Sequence, residues 1–144
     1  MPKTKSQPTT DDRAKARLLS ALWTFLSVNY VFCDVVSGME AATVQAYLSG
    51  NAGNVAFTPG MLAGATLMMN LSFTMIVLPL VLPPKANRWV NIAIGLLMAL
   101  IQLGSLGMGT PVTAHYWVST VIEAATALGI VWLAFRWRPG SAGR

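Results

Sequence analysis

Four long apolar stretches occupy most of the sequence and leave few choices of fold. They run over residues 18–36, 59–82, 89–108 and 116–135. Each is close to the ~20 residues that a helix needs to cross a bilayer, and none alternates in hydrophobicity as a membrane-barrel strand does. Charged residues make up only 10% of the chain, against about 25% in a soluble domain. The pattern predicts an all-α antiparallel bundle of four transmembrane helices over 18–137, with polar tails at 1–17 and 138–144.

The basic residues indicate how this bundle lies in the membrane. All ten Lys and Arg residues precede the first stretch, follow the fourth, or lie between the second and third. By the positive-inside rule, both termini then lie in the cytoplasm. The net charge of +5 therefore reflects topology, and we predict no nucleic-acid partner. We expect the polar residues 1–15 to lack stable structure, and we expect Trp137 to lie at the membrane interface with other aromatic residues.

The loop over residues 37–58 is the longest and has helix signals of its own. Ser37 and Glu40 have the S-x-x-E spacing of a capping box, and Ser49 with Gly50 reads as a helix stop. We therefore predict a short extra helix over 38–48, outside the bilayer core. It serves either as a connector or as a lid over a site beneath it, and the sequence leaves both interpretations open.

Each apolar stretch carries one stripe of polar or small residues. The stripes are Trp23, Ser27, Tyr30 and Asp34; Thr66, Asn70 and Thr74; Asn91, Gly95, Met98, Gln102 and Ser105; and Ser119, Glu123 and Thr126. Residues three or four apart share one face of a helix. We expect a four-helix bundle to turn these stripes toward one another, because polar groups are costly in lipid.

Six of these residues form the candidate ligand-binding set. They are Tyr30, Asp34, Asn70, Gln102, Ser119 and Glu123. From the 1.5 Å rise per residue, most of them gather in the outer half of the bundle, where no Lys or Arg lies among them. A carboxylate in hydrocarbon is costly unless it is hydrated, hydrogen-bonded or protonated.

This placement predicts an outward-facing polar pocket with Asp34 at its mouth and Glu123 at its floor. Gln102 lies at a depth similar to that of Glu123 and is its expected hydrogen-bond donor. The alternative is that the Asn, Gln, Ser and Thr side chains only join the helices through interhelical hydrogen bonds.

Residue types typical of catalytic and cofactor sites are sparse. Cys33 is the single cysteine and His115 the single histidine. We therefore predict no disulfide, no metal-type Cys/His cluster and no haem held by two histidines. No G-x-S-x-G, H-E-x-x-H or P-loop sequence occurs. We therefore assign no catalytic residues, no metal and no cofactor, and an enzyme is not the favoured class.

Five segments together form a recognisable pattern: SALWTFLSVNYVFCDV, KANRWVNI, GTP, IEAAT and VWLAFRW. The pattern extends from about Ala21 to Trp137 and resembles an uncharacterised family of small bacterial four-span integral membrane proteins, a domain of unknown function. The resemblance implies a multi-pass protein of the bacterial cytoplasmic (inner) membrane. It implies no reaction, ligand or functional residue.

Several classes of function fit these features. The first is a membrane protein whose pocket binds a small molecule, with transport as one form of that function. The second is an accessory or structural subunit of a larger membrane complex, and a homo-oligomer is also open. A redox subunit, similar in span count to the DoxX-like proteins, is less favoured because paired cysteines and histidines are lacking. The one-sided distribution of Lys and Arg argues against a small multidrug exporter, because such exporters pair in opposed orientations and have little charge bias.

Overall fold

A computed structural model describes residues 8–109 and 112–139. Its elements, in chain order, are α1 (Thr10–Ser37), α2 (Ala41–Leu48), β1 (Asn51–Ala52), β2 (Val55–Ala56), α3 (Pro59–Val81), α4 (Pro84–Ser105) and α5 (Ala114–Arg136). Helices α1, α3, α4 and α5 are each long and apolar enough to cross a membrane, which confirms the predicted all-α bundle of four long helices. The strands form one short antiparallel hairpin between α2 and α3.

The four long helices share one apolar core. The most extensive contacts are those of α4 with α5, of α1 with α3, and of α1 with α5. The core consists of Leu19, Trp23, Leu26, Met75, Met98, Ala99, Ala127, Ile130 and Trp137. Gly95 lets α5 approach α4 closely, because a Cβ at this position would lie 2.8 Å from Cγ2 of Val131. In lipid, such van der Waals packing holds helices together without a hydrophobic driving force between them.

One end of the bundle carries all of the described Lys and Arg residues, and we call it the basic end: Arg13, Lys15, Arg17, Lys85, Arg88, Arg136 and Arg138. Here Trp137 Nε1 donates to Asp12 Oδ1 at 2.8 Å, and Arg88 Nη2 donates to the carbonyl oxygen of Phe135 at 3.0 Å. These bonds join the starts of α1 and α4 to the end of α5. Trp137 is only 1% exposed, so its ring packs within the protein, and its position at the membrane interface stays a prediction.

Helix α1 begins at Thr10, inside the segment that was expected to be a polar tail. Thr9 caps it, since its Oγ1 accepts from the amide of Asp12 at 3.1 Å and its own amide donates to Asp12 Oδ2 at 3.0 Å. This is a reciprocal capping box with Asp in the usual place of Glu. The expectation of an unstructured tail is therefore wrong for residues 10–15, while residues 1–7 lie outside the described part of the chain.

The extra helix predicted in the long loop is present as α2, but it begins at Ala41. The predicted capping box is wrong, because Ser37 still belongs to α1 and the N-cap residue Glu40 makes no side-chain capping bond. The carbonyl of Ser37 instead accepts from the Glu40 amide at 3.1 Å, in the tight turn between the two helices. Gly50 follows the end of α2 with a positive φ of 79°, a conformation that suits a helix stop at glycine.

Three of the predicted polar stripes contribute residues to the interior. Trp23 Nε1 of α1 donates to Asn91 Oδ1 of α4 at 2.7 Å, and the hydroxyls of Ser27 in α1 and Ser72 in α3 lie 2.7 Å apart. On α4 the stripe is buried from Asn91 to Gln102. Several polar residues therefore do join helices, as the alternative interpretation expected.

The stripe predicted for α3 does not face the interior. Thr66, Asn70 and Thr74 are exposed on the outside of the bundle. Each donates to the backbone carbonyl four residues earlier, at 2.8, 2.9 and 2.7 Å respectively. The buried side of α3 carries Ser72 and Met75 instead. Because Thr and Asn side chains can bond to their own helix, polarity at helical spacing does not by itself identify the inner face.

Candidate functional site

A cavity of about 150 Å³ lies among the four long helices, in the half of the bundle away from the basic end. Its lining consists of Tyr30, Cys33, Asp34, Met68, Met69, Met98, Ile101, Gln102, Ser105, Tyr116 and Glu123. Three methionines and two tyrosines make most of its wall apolar and polarisable. The lining includes two acidic side chains and no Lys, Arg or His, which favours a cation or a hydrogen-bond donor as occupant.

Glu123 is the cavity residue with a buried side-chain oxygen that lacks a hydrogen-bond partner in the described chain. Its side chain is 1% exposed, and its Oε1 is buried without a hydrogen-bond partner in the described chain. Helix α5 positions it roughly 14 Å along the helix axis from Ala114, from the rise of 1.5 Å per residue. A buried acceptor left unpaired costs about 1–3 kcal/mol, and more when it is charged. The carboxyl group is therefore placed to accept a hydrogen bond from a molecule in the cavity.

The amide of Gln102 does not supply that bond. Its Nε2 donates to Thr120 Oγ1 at 3.1 Å and so joins α4 to α5. The expected pairing with Glu123 is therefore wrong. Thr120 is buried one turn before Glu123, and it was missed because Ser119 was assigned to the inner stripe instead. The three-residue spacing from Thr120 to Glu123 was the available signal.

The remaining candidate residues divide into two groups. Tyr30 and Asp34 line the cavity, and Asp34 is exposed at its open side. Ser119 is half-buried beside the Cys33 thiol and does not line the cavity. Asn70 lies on the outer face of α3 and is not brought to the site. The structure thus brings together four of the six candidates.

One wall of the cavity is formed by residues that the candidate set did not include. The hydroxyl of Tyr116 donates to Ser105 Oγ at 2.7 Å, and Ser105 donates in turn to the carbonyl of Gln102 at 2.7 Å. This chain of bonds fixes the end of α4 against the first turn of α5. It also fixes the position of the Tyr116 ring beside the cavity.

Helix α2 begins four residues after α1 ends, and Asp34 at the open side of the cavity lies in the last turn of α1. Burial, with the Asp34 carboxylate as the second cause, raises the pKa of the Tyr47 phenol. The ring of Tyr47 packs against that of Phe57, with centroids 5.4 Å apart, and so ties α2 to the chain that follows the hairpin. None of the residues that line the cavity belongs to α2, so the lid stays a prediction.

His115 connects three elements next to this opening. Its Nε2 lies 3.1 Å from Ser37 Oγ, and its Nδ1 lies 3.0 Å from Thr113 Oγ1 and 3.4 Å from Glu40 Oε1. The order Ser–His–Glu resembles that of a nucleophilic triad, which also requires free N–H donors for an oxyanion. The amides after Ser37, from Gly38 to Glu40, all donate to carbonyls of the last turn of α1. We therefore interpret the cluster as a tie between α1, α2 and the start of α5.

A larger cleft of about 320 Å³ lies at the basic end, but its buried polar groups already have partners. Asp12 accepts from Trp137, and Asn87 Nδ2 donates to the carbonyl of Pro79 at 2.6 Å. Within residues 8–109 and 112–139, no group of three or more His, Cys, Asp or Glu could hold a metal ion. The smaller cavity at Glu123 is therefore the better candidate, because it contains the unpaired carboxyl.

Comparison with protein-family models identifies the family of the chain. A model described as "Family of unknown function (DUF6326)" matches residues 9–142. The chain belongs to this family. Searches of curated proteins and of solved structures each found no match. The DUF6326 match begins at the residue that caps α1 and continues beyond α5, so it includes all four long helices and the cavity. The four helices that could span a membrane indicate that this DUF6326 chain is a multi-pass integral membrane protein.

Proposed function

We propose that this DUF6326 protein binds a small cationic molecule in the cavity at Glu123. The observation that carries the proposal is the buried Oε1 of Glu123, which lacks a hydrogen-bond partner in the described chain. A charged donor such as a protonated amine offers both the missing hydrogen bond and the missing positive charge. Charge-assisted hydrogen bonds of this kind are roughly twice as strong as neutral ones.

The walls of the cavity define the rest of the ligand. Methionine and tyrosine side chains surround the carboxyl, and both suit an apolar body next to a cationic head. A dry cavity of 150 Å³ in another protein accommodates benzene, so this ligand has about six non-hydrogen atoms. We therefore expect a primary amine with a short apolar chain.

Transport is one extension of this proposal. A membrane carboxyl that exchanges a proton for a cation can couple binding to proton movement, and Asp34 at the opening gives the cation a second acidic contact. The alternative of an accessory subunit requires no internal ligand. Binding is favoured over it because four candidate side chains from three helices converge on a cavity within a single chain.

Calorimetry with the purified full chain in neutral detergent tests the proposal. The probe is pentylamine, with pentanol and pentanoate as matched neutral and anionic compounds that partition into micelles. We expect pentylamine alone to bind with saturable heat. Glu123→Gln should weaken it about tenfold or more, because a charged hydrogen bond is lost.

The matched control is Thr126→Val on the same helix, whose hydroxyl donates to the carbonyl of Ile122 in its own helix. It should leave pentylamine binding unchanged. Equal binding of pentylamine by wild type and Glu123→Gln, or equal binding of pentanoate, contradicts the proposal.

We also propose a bacterial cytoplasmic membrane location with both termini in the cytoplasm. The supporting observation is that every described Lys and Arg lies at the basic end, which the positive-inside rule assigns to the cytoplasm. The cavity then opens to the outside. A reporter that is active only outside the cytoplasm, fused after Arg144, should give no signal, and strong activity there would reverse the orientation.

A further inference from the structure

Helix α3 is the least covered of the four long helices. Of its apolar 18-residue segment, 11% of the residues are buried, against 28–33% in the other three helices. Its contacts are mainly with α1 and only few with α4. One whole face of α3 is therefore left to the surroundings of the bundle.

That face carries an amide at mid-membrane depth. Asn70 is the twelfth of the 23 residues of α3 and is exposed. Its Nδ2 donates to the carbonyl of Thr66 at 2.9 Å, and its Oδ1 accepts no hydrogen bond from the described chain. The second amide hydrogen and the carbonyl oxygen thus face hydrocarbon, where each unsatisfied polar group is costly. This arrangement is unfavourable for a monomer surrounded only by lipid.

The residues around Asn70 have the spacing of a helix-pairing seam. Ala63, Leu67, Asn70, Thr74 and Val77 are all exposed, and they follow one another at steps of four, three, four and three. This is the seven-residue repeat with which helices pack at about 20°. The hydroxyl of Thr74 is already bonded to its own helix, which leaves Asn70 as the polar centre of the seam.

We propose that this seam pairs with the same seam of a second copy of the chain. Two copies inserted in the same orientation are related by a two-fold axis along the bilayer normal, so each residue near the axis faces its own equivalent. An amide is self-complementary, because it has both a donor and an acceptor. Asn70 of each copy then donates to Oδ1 of the other, which satisfies both groups left open in the monomer. The proposal is independent of what the cavity at Glu123 binds.

Single-molecule photobleaching of the full chain in phosphatidylcholine liposomes measures this pairing over a range of protein-to-lipid ratios. We expect wild type to form dimers at high ratios. Asn70→Leu should raise the dissociation constant about 5- to 30-fold, as expected for an interhelical hydrogen bond in lipid. Asn70→Gln keeps the amide and should retain most of the pairing.

Asn29→Leu is the matched control, because it removes an amide with the same kind of bond to its own helix, to the carbonyl of Phe25, but from α1 and not from the seam on α3. It should dimerise as wild type does. Wild type that remains monomeric at all ratios overturns the proposal, as does an equal loss of dimer in Asn29→Leu and Asn70→Leu.

Crosslinking gives a second test that does not depend on removing Asn70. In a Cys33→Ala background, Leu67→Cys and Thr74→Cys lie on the proposed seam, and Val121→Cys lies on the exposed face of α5. Oxidation with copper phenanthroline in native membranes should crosslink each of the two seam variants into homodimers. Val121→Cys should stay monomeric over the same reaction time. Equal crosslinking of Val121→Cys, or crosslinking of the seam only to a different protein, would exclude a second copy as the occupant.

Discussion

The close approach of α4 and α5 makes Gly95→Ala the sharpest test of the packing. The added Cβ would lie 2.8 Å from Cγ2 of Val131 and 3.4 Å from the carbonyl oxygen of Ala127. Carbon atoms pack at about 3.5–4.0 Å, so the Val131 side chain or the helix that carries it must move by roughly 1 Å. Overpacking of this size costs about 1–3 kcal/mol, offset by the roughly 0.5–1 kcal/mol that alanine gains over glycine in a helix.

The matched control is Gly129→Ala, where an added Cβ meets nothing within 4 Å. It gains the same helix propensity without the clash, so the two variants should differ in unfolding free energy by about 1–3 kcal/mol. Reversible unfolding in mixed micelles with increasing dodecyl sulfate, followed by circular dichroism, measures this difference. Val131→Ala should restore part of the loss in the Gly95→Ala background, because it removes the clashing methyl group. If Gly95→Ala is as stable as Gly129→Ala, the helices are not packed as described.

Two further predictions concern the ends of the bundle. Trp137→Phe removes the indole donor to the buried Asp12 and should lower the free energy of unfolding by about 1–3 kcal/mol. Trp132→Phe, at an exposed position, should change it by less than about 0.5 kcal/mol, and equal effects would contradict the assigned contact. His115→Ala should speed amide hydrogen exchange in α2 while leaving α4 protected. The reason is that His115 contacts Ser37 and Glu40, on either side of the turn into α2. Unchanged exchange in α2 would show that these contacts do not hold α2 in place.

Much of the fold follows from local sequence features. The four apolar stretches predicted the four long helices because helices must satisfy all of their backbone groups within lipid. The start of α1 was placed wrongly because the Thr9–Asp12 cap depends on side-chain bonds that outweigh the polarity of the segment. The loop helix was predicted from two signals, of which the stop at Ser49 and Gly50 fits the end of α2, while the capping box was wrong.

The site was less predictable than the fold. Glu123 and Tyr30 were identified because helical spacing places each on a face with other polar residues, and both line the cavity. Asn70 was misplaced because an amide bonded to its own helix can point outward. The pairing of Gln102 with Thr120 depends on how α4 and α5 are rotated against each other, which no single-sequence periodicity specifies.

The most direct test of the cavity is a high-resolution crystal structure of the chain grown from a lipid phase, with and without pentylamine. We predict density for the amine between Met68, Met98 and Glu123, with its nitrogen about 2.7–2.9 Å from a Glu123 carboxyl oxygen. We also expect the side chain of Gln102 to stay bonded to Thr120 in both crystals. A Glu123 carboxyl group hydrogen-bonded to the protein in a closed interior, or an amine bound only in the cleft at the basic end, would contradict binding at Glu123.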